Sequence, residues 1–290
     1  MNLGVSAIDF LRRSLAYPDW RGKALYALCR GILGAVPIRR KHVLEQLALC
    51  FPEKDAKWRK DTLRAIYRHY ALMIVEFLAA VNDPSLVDKM FVEFEGREHI
   101  DRLRDEGKGA IILCAHLSNW EITAGWMARS DYPVIAAERD ADDKSFAALI
   151  NGYRSRLGDT TTKKGALNVR QMIRDAKNGH WIALLADQDA GRDAVPVTFF
   201  GRRTTMVEGP AALALTAKVP LLGIYPMRIA PFKYKLCIKP PLSDGTEGRT
   251  KENVFELTQK ANAEIEQMVR LEPEQWFWFH RRWKNKPRGE

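Results

Sequence analysis

The chain has 290 residues, of which 46% are hydrophobic and 28% are charged. That length allows one large α/β domain with a helical region attached, and the composition excludes extensive disorder. The formal net charge is +10, which indicates an anionic partner. Nucleic acid, an anionic membrane surface and an acidic carrier protein would each meet that description.

The first 41 residues combine basic and apolar side chains, with eight Lys or Arg against two Asp. Their most apolar stretch, 24–36, contains Arg30 and is shorter than the roughly 20 residues that a membrane span needs. Two interpretations remain open for this segment. It is either an amphipathic surface that lies on anionic lipid, or a helix pair packed on the protein body with its charges in water.

The clearest helix is predicted over 58–81, where apolar residues recur at steps of three and four positions. Asn82-Asp83-Pro84-Ser85 ends this pattern. We therefore predict an N-terminal helical, membrane-facing region over residues 1–85.

After residue 85, short apolar runs alternate with helical patterns. Strands are predicted at 91–94, 110–115, 133–137, 181–186, 220–225 and 234–238, and helices at 97–106, 119–129, 144–157, 166–178, 208–217 and 250–270. Such alternation predicts an α/β fold with a mostly parallel central sheet flanked by helices. We expect this core, residues 86–290, to form one compact domain together with the N-terminal region.

His116 directly follows the apolar strand 110–115, at an edge of the sheet where ligands gather in α/β folds. Ser118 or Asn119 can cap the next helix, which places Glu121 in its first turn. An imidazole held by a carboxylate can act as a general base. The alternative is that Ser118 and Glu121 form a capping box beside a structural histidine.

Three other clusters could belong to a site. Asp187-Gln188-Asp189 follows strand 181–186 at the same edge, and could bind polar substrate groups or serve as turn chemistry. The segment 199–205, with Arg202, suits a ligand with an apolar tail and an anionic head, or is a strand edge on the surface. The aromatic and basic run 276–284 suits an interfacial anchor or base stacking on single-stranded nucleic acid, with part of it in the core.

The six histidines show no metal-ligand spacing, so we expect neither a metal nor another cofactor. No nucleophilic Ser or Cys lies in a G-x-S-x-G motif. If the histidine is catalytic, direct transfer of an acyl group to an acceptor hydroxyl is then simpler than transfer through a covalent enzyme intermediate.

These residues also carry a family resemblance. The H-x-x-x-x-E motif from His116 to Glu121 resembles the signature of the lysophospholipid acyltransferase superfamily. The chain as a whole resembles the bacterial lipid A biosynthesis late acyltransferases, the lauroyl/myristoyl transferases. Besides that motif, five ordered blocks over some 250 residues carry this likeness. They are the block from Arg39-Arg40 through Leu47 to Glu53, then Arg139, Asp187-Gln188-Asp189, Phe199-Phe200-Gly201, and Pro273 to Lys284.

The resemblance implies transfer of a fatty acyl chain from acyl carrier protein, or acyl-CoA, to a hydroxyl of a lipid A precursor. It places this reaction at the cytoplasmic face of the bacterial inner membrane. His116 would be the base, Glu121 its partner and Arg139 a polar contact, with Asp187 and Asp189 in the third block. Gln46, where relatives usually have Asn, and the missing proline after Arg139 depart from the family pattern.

Two alternatives to this function remain open. One is an acyltransferase acting on another anionic envelope lipid or glycolipid. The other, more remote, is a basic protein that binds nucleic acid through its aromatic tail, although we expect no nucleic-acid partner.

Overall fold

The computed structural model describes residues 20–36, 38–137, 144–158, 168–285 and 287. The helices are α1 (Trp20–Ala35), α2 (Arg40–Cys50), α3 (Ala56–Asn82), α4 (Ser85–Met90), α5 (Arg97–Asp105), α6 (Trp120–Arg129), α7 (Lys144–Arg156), α8 (Val169–Lys177), α9 (Gly209–Ala217) and α10 (Lys251–Leu271). The strands are β1 (Phe91–Glu95), β2 (Ala110–Cys114), β3 (Val134–Ala137), β4 (Trp181–Leu185), β5 (Val195–Phe199), β6 (Arg202–Met206), β7 (Leu221–Ala230) and β8 (Lys233–Ile238).

Six of these strands form one sheet in the order β1-β8-β7-β2-β4-β3. Strands β7, β2, β4 and β3 are mutually parallel, whereas β8 is antiparallel to β7 and carries β1 in its own direction. The strand β2 lies inside the sheet, and its first four residues are fully buried. Its apolar sequence follows from this position, since a parallel strand is covered by helices on both faces. The predicted α/β fold with a mostly parallel, helix-flanked sheet is confirmed.

A second, two-stranded sheet is formed by β5 and β6. Neither is among the strands predicted from the sequence, although a strand edge is one of the two interpretations left open for the segment 199–205. They are joined by Phe200 and Gly201, both with positive φ (52° and 69°). Two consecutive residues of this kind form a tight hairpin turn that matches the twist of the strands. The segment 199–205 is therefore a hairpin, and the rings of Phe199 and Phe200 lie in the core.

The N-terminal helices pack on this sheet mainly through α3. Asp55 caps α3 by accepting a hydrogen bond from the backbone N–H of Trp58, and the helix ends just before Asp83-Pro84. Ending there is physically reasonable because a residue before proline avoids the helical conformation. On the side of α3 that faces the sheet, the buried carboxylate of Glu76 forms an ion pair with Arg228 of β7 and accepts a hydrogen bond from Tyr234 of β8. This buried ion pair joins α3 to the sheet.

Helix α1 packs on α3 through only part of its surface, where Gly22 and Leu25 are buried. On the rest of the helix Trp20 is 72% exposed, and Leu28 and Ile32, which lie one turn apart, are each about half exposed. Among the described residues, no helix has both the length and the apolar character needed to cross a bilayer.

Candidate active site

His116 and Asp187 meet at the carboxyl edge of the sheet. The strands β2 and β4 are parallel neighbours, with Cys114 opposite Leu185 at their ends. Each of the two side chains comes two residues after its strand, so the register of the sheet places them side by side. Two residues that are 71 positions apart in the sequence thereby come within hydrogen-bond distance.

The His116–Asp187 pair has a defined hydrogen-bond geometry. His116 Nδ1 lies 2.8 Å from Asp187 Oδ1, and the backbone N–H of His116 donates to Asp187 Oδ2 at 3.0 Å. Because an ionised carboxylate only accepts, Nδ1 carries the proton and Nε2 keeps its lone pair in the neutral imidazole. The His116 side chain is 19% exposed and that of Asp187 only 1%, so that the imidazole is the accessible member of the pair.

Burial and charge act in opposite directions on these two groups. Burial alone would lower the pKa of His116, but the charge and hydrogen bond of Asp187, with the charge of Glu121, outweigh it and raise that pKa. For Asp187, burial would raise the pKa, and the charge of His116 with hydrogen bonds from His116 and Trp276 lowers it instead. The carboxylate thus stays ionised while the proton affinity of the imidazole increases.

The C-terminal segment after α10 forms one wall of the site. Leu117 pairs with Trp276 in an antiparallel bridge, the backbone N–H of Phe277 donates to the carbonyl of His116, and that of Ser118 donates to the carbonyl of Gln275. Trp276 and Trp278 are buried, as is the Arg282 guanidinium, which donates to the carbonyl of Thr205. These rings are core and site wall, so the run cannot serve as an interfacial anchor or a base-stacking tail in this conformation.

Glu121 lies in the first turn of α6, as predicted, but its carboxylate is held elsewhere. Arg154 of α7 donates to Oε1 and Oε2 at 2.6 and 2.8 Å, and the indole of Trp120 donates to Oε1 at 3.1 Å. The prediction that Glu121 holds the second ring nitrogen of His116 is corrected, because Asp187 occupies that place. The negative charge of Glu121 contributes to the raised pKa of His116.

The capping-box alternative is also wrong. The cap of α6 is Asn119, whose side chain accepts a hydrogen bond from the backbone N–H of Ile122. Ser118 has a positive φ of 53°, and its buried hydroxyl has no hydrogen-bond partner in the described structure. The carboxylate of Glu121 is therefore available for a side-chain partner instead of a backbone N–H.

The remaining predicted residues occupy different places. The amide nitrogen of Gln188 lies 3.4 Å from both ring nitrogens of His116, so it sits beside the imidazole. The carboxylate of Asp189 accepts from Asn285 at 2.8 Å and so ties its loop to the C-terminal segment. Arg202 is exposed at the turn of the β5–β6 hairpin. Its charge there opposes the rise that burial causes in the pKa of the Cys50 thiol. Arg139 lies outside the described residues.

Two site residues are not found from the sequence. Arg154 stands in an ordinary amphipathic helix, 33 positions from its partner, and nothing in its neighbourhood indicates the pairing. Trp276 belongs to the aromatic run, but only the fold shows which indole faces Asp187. No local pattern could have distinguished them, because both contacts join segments distant in sequence.

An apolar cavity opens beside the histidine, between α6 and the strands β3 and β4. Trp120, whose ring centroid is 5.0 Å from that of His116, and Glu121 lie at one side of it. Most of the other lining side chains are small or apolar, among them Ala115, Met127, Ala136, Ala183, Leu185 and Ile224. In the part of the chain that the structure describes, no three His, Cys, Asp or Glu side chains form a group that could hold a metal ion.

Taken together, fold and site define an α/β enzyme with an accessible imidazole, oriented by a buried carboxylate, next to an apolar cavity. The chain belongs to the bacterial lipid A biosynthesis acyltransferase family, whose model matches residues 16–285. It is thus an O-acyltransferase, and the resemblance seen in the sequence is confirmed.

Individual relatives agree with this family. The chain is 27% identical over 297 residues to the lipid A biosynthesis myristoyltransferase of Escherichia coli (strain K12), with 99% of this chain and 88% of the relative covered. It is 26% identical over 257 residues to the palmitoleoyltransferase of the same organism, covering 87% and 81%. A phosphatidylinositol mannoside acyltransferase of Mycobacterium tuberculosis (strain ATCC 25618 / H37Rv) is 28% identical over 149 residues, covering 50% of this chain and 47% of the relative.

Proposed function

We propose that this protein transfers a fatty acyl chain from an acyl thioester, carried by acyl carrier protein or CoA, to a hydroxyl of a lipid A precursor. The observation that carries the proposal is the hydrogen-bonded His116–Asp187 pair beside an apolar cavity. Family membership and the lipid A acyltransferases among the relatives supply the substrate class.

In this mechanism His116 is the general base. Its Nε2 takes the proton of the acceptor hydroxyl as the oxygen attacks the thioester carbonyl carbon. The carbon–sulfur bond then breaks, and the departing thiolate takes the proton back from the imidazolium. Asp187 fixes the imidazole in the tautomer that leaves Nε2 free and stabilises the positive charge that forms on the ring.

The cavity is the proposed place for the acyl chain. Its lining is almost entirely apolar, and the charged pair Glu121–Arg154 lies at its margin close to the histidine. A chain in the cavity would thus have its thioester beside polar groups and its methyl end among small side chains. Arg139, Gln188, Asp189 and Arg202 remain proposed contacts for polar parts of the substrates.

We further propose that the enzyme works as a peripheral or monotopic protein at the cytoplasmic face of the inner membrane. The outer surface of α1 supports this, since it exposes Trp20, Leu28 and Ile32 next to Arg21, Lys23 and Arg30. Helix α1 contains no acidic residue. Exposed apolar groups flanked by cations suit an anionic lipid surface.

A second acceptor class is favoured by one observation, the similarity to phosphatidylinositol mannoside acyltransferases over half of the chain. Those relatives are named for a mannosylated lipid, so a glycolipid hydroxyl other than that of a lipid A precursor is the alternative acceptor. The same site chemistry would serve both, and a direct competition between acceptors separates them.

The test compares H116A with H180A in the purified protein. His180 is exposed and precedes β4, at the opposite end of that strand from Asp187. Each variant receives mixed acyl thioesters of carrier protein and of CoA, with a lipid A precursor and a mannosylated phosphatidylinositol, and the lipid products are measured by mass spectrometry.

We expect H116A to lose on the order of 10²–10⁴ in transfer rate and H180A to keep full activity. Full activity in H116A would exclude His116 as the base. Product formed only from the mannosylated lipid would favour the alternative acceptor.

A further inference from the structure

The buried carboxylate of Asp187 has a second side-chain donor that the proposed mechanism does not use. The indole N–H of Trp276 donates to Asp187 Oδ2 at 2.8 Å, while Asp187 Oδ1 receives the imidazole N–H of His116. Trp276 is almost fully buried, and its backbone is fixed by the bridge to Leu117. The indole is therefore held in place by the same loop that carries the histidine.

We infer that Trp276 is a positioning residue for acyl transfer: its indole N–H fixes the rotation of the Asp187 carboxylate and thereby the orientation of the His116 imidazole. This inference rests on the proposed role of His116 as the base. Trp276 does not contact the ring of His116 through a hydrogen bond, so it acts only through Asp187.

The physical argument concerns the two oxygens of one carboxylate. A carboxylate can rotate about its last side-chain bond, a torsion that has broad minima. Bonds to Oδ1 from the imidazole and to Oδ2 from both the indole and the His116 backbone N–H define one orientation. Without the indole bond, Oδ2 keeps a single donor, the backbone N–H of His116. The carboxylate can then turn, and the imidazole loses its alignment.

The other charged and polar groups near Asp187 do not replace that bond. The charge of Asp187 opposes the lowering of the Arg282 pKa by burial, but the Arg282 guanidinium donates its hydrogen bond to the carbonyl of Thr205 and not to Asp187. His280 accepts a hydrogen bond from the backbone of Asp189 and is held there. Trp276 is therefore the side chain, apart from His116, that binds this carboxylate among the described residues.

The molecule offers a matched control in Trp278. It is buried to the same degree, lies in the same segment and also donates one indole hydrogen bond, at 2.6 Å to the carbonyl of Pro273. Both W276F and W278F lose one indole N–H and keep an aromatic ring. They differ in whether that N–H contacts Asp187, so a general effect of the substitution on folding is shared by both.

The experiment is a double-mutant cycle on the turnover of the full chain with an acyl carrier thioester and a lipid acceptor. W276F and W278F are made in the wild-type protein and in D187N, and kcat, KM and the thermal midpoint are measured for each. We expect W276F to lower kcat by about 10-fold in the wild-type background, as for the loss of a hydrogen bond to a charged group, with KM unchanged. In D187N it should lower kcat no further, because its effect passes through the carboxylate.

An equal loss from W276F in both backgrounds, or the same loss from W278F, would overturn the inference and leave a packing role. If H116A and D187N retain full activity, the proposed function itself fails; if they lose activity and W276F does not, only the inference fails. Should W276F not fold, β-(3-benzothienyl)alanine at position 276 keeps the ring shape without the N–H and permits the same cycle.

Discussion

Helix α1 and the C-terminal segment 276–284 have similar compositions and opposite environments. Both combine apolar or aromatic residues with Lys and Arg, and both suggest an interfacial surface from the sequence. In the structure α1 exposes Trp20, Leu28 and Ile32, whereas Trp276, Trp278 and Arg282 of the C-terminal segment are buried.

The difference comes from what each segment packs against. The C-terminal segment pairs with the His116 loop on one side and lies against the β5–β6 hairpin on the other, where Arg282 donates to Thr205 and lies over the ring of Phe199. Helix α1 meets α3 along one face. A basic and aromatic composition therefore does not by itself predict whether a segment is buried or exposed. What determines this is how many of the segment's faces pack against the rest of the protein.

The largest expected effect is on stability. We expect W278A to lower the free energy of unfolding by about 3–5 kcal/mol, because it leaves a cavity where a fully buried indole was packed. The matched variant W20A should stay within about 0.5 kcal/mol, since Trp20 is mostly exposed. Chemical denaturation measures both. Equal losses would mean that the contrast between the two segments is wrong.

Membrane binding should show the reverse contrast. Replacing Leu28 and Ile32 together by Asn should weaken binding to phosphatidylglycerol vesicles by at least about 10-fold, because two half-exposed apolar side chains would no longer enter the interface. Vesicle sedimentation is the measurement. L271N, at the exposed end of α10, is the control and should bind as the wild type does. Undiminished binding of the α1 variant would place the membrane surface elsewhere.

The smallest expected effect is the pH dependence that His280, in the C-terminal segment, contributes to the stability of the protein. Burial lowers the pKa of His280, whose Nε2 accepts from the backbone N–H of Asp189 at 2.8 Å. Its contribution to stability is thus complete above the ordinary histidine pKa of about 6.5 and is lost as the pH falls through the lowered value. Helix α1 has no His, Asp or Glu and should not contribute.

This prediction is measured as the difference in unfolding free energy between the wild type and H280Q at pH 8 and pH 5. We expect the wild-type advantage to shrink at the lower pH. H180Q, at an exposed position, is the control. A difference that does not change with pH would show that His280 is not held in its neutral form.

Much of the fold is readable from local pattern. The apolar run before His116 and the periodic stripe of α3 predict a buried strand and a long helix, and both form. The β5–β6 hairpin is missed because Pro196 and the basic pair Arg202-Arg203 obscure the strand pattern, and its turn depends on two positive φ angles. The reversal at β8 is missed because β7 runs on to Ala230, which leaves only two residues for a hairpin.

The site is readable in part. The position of His116 after a buried strand indicates an accessible imidazole at the sheet edge, and that is where it lies. Its partner carboxylate is not readable, because Glu121 is near in sequence and Asp187 is near in space. The parallel register of β2 and β4 brings Asp187 closer than Glu121 to the imidazole of His116.

The sequence by itself thus determines the α/β class, the family and the histidine, since each depends on residues adjacent along the chain or on patterns with a helical or strand period. Only the tertiary structure decides that Asp187 and Trp276 form one hydrogen-bonded chain with His116, that Arg154 holds Glu121, and which basic segment is buried. The physical reason is common to all three. Hydrogen bonds and burial depend on distances in space, and these are set by sheet register and helix packing between segments that lie far apart in sequence.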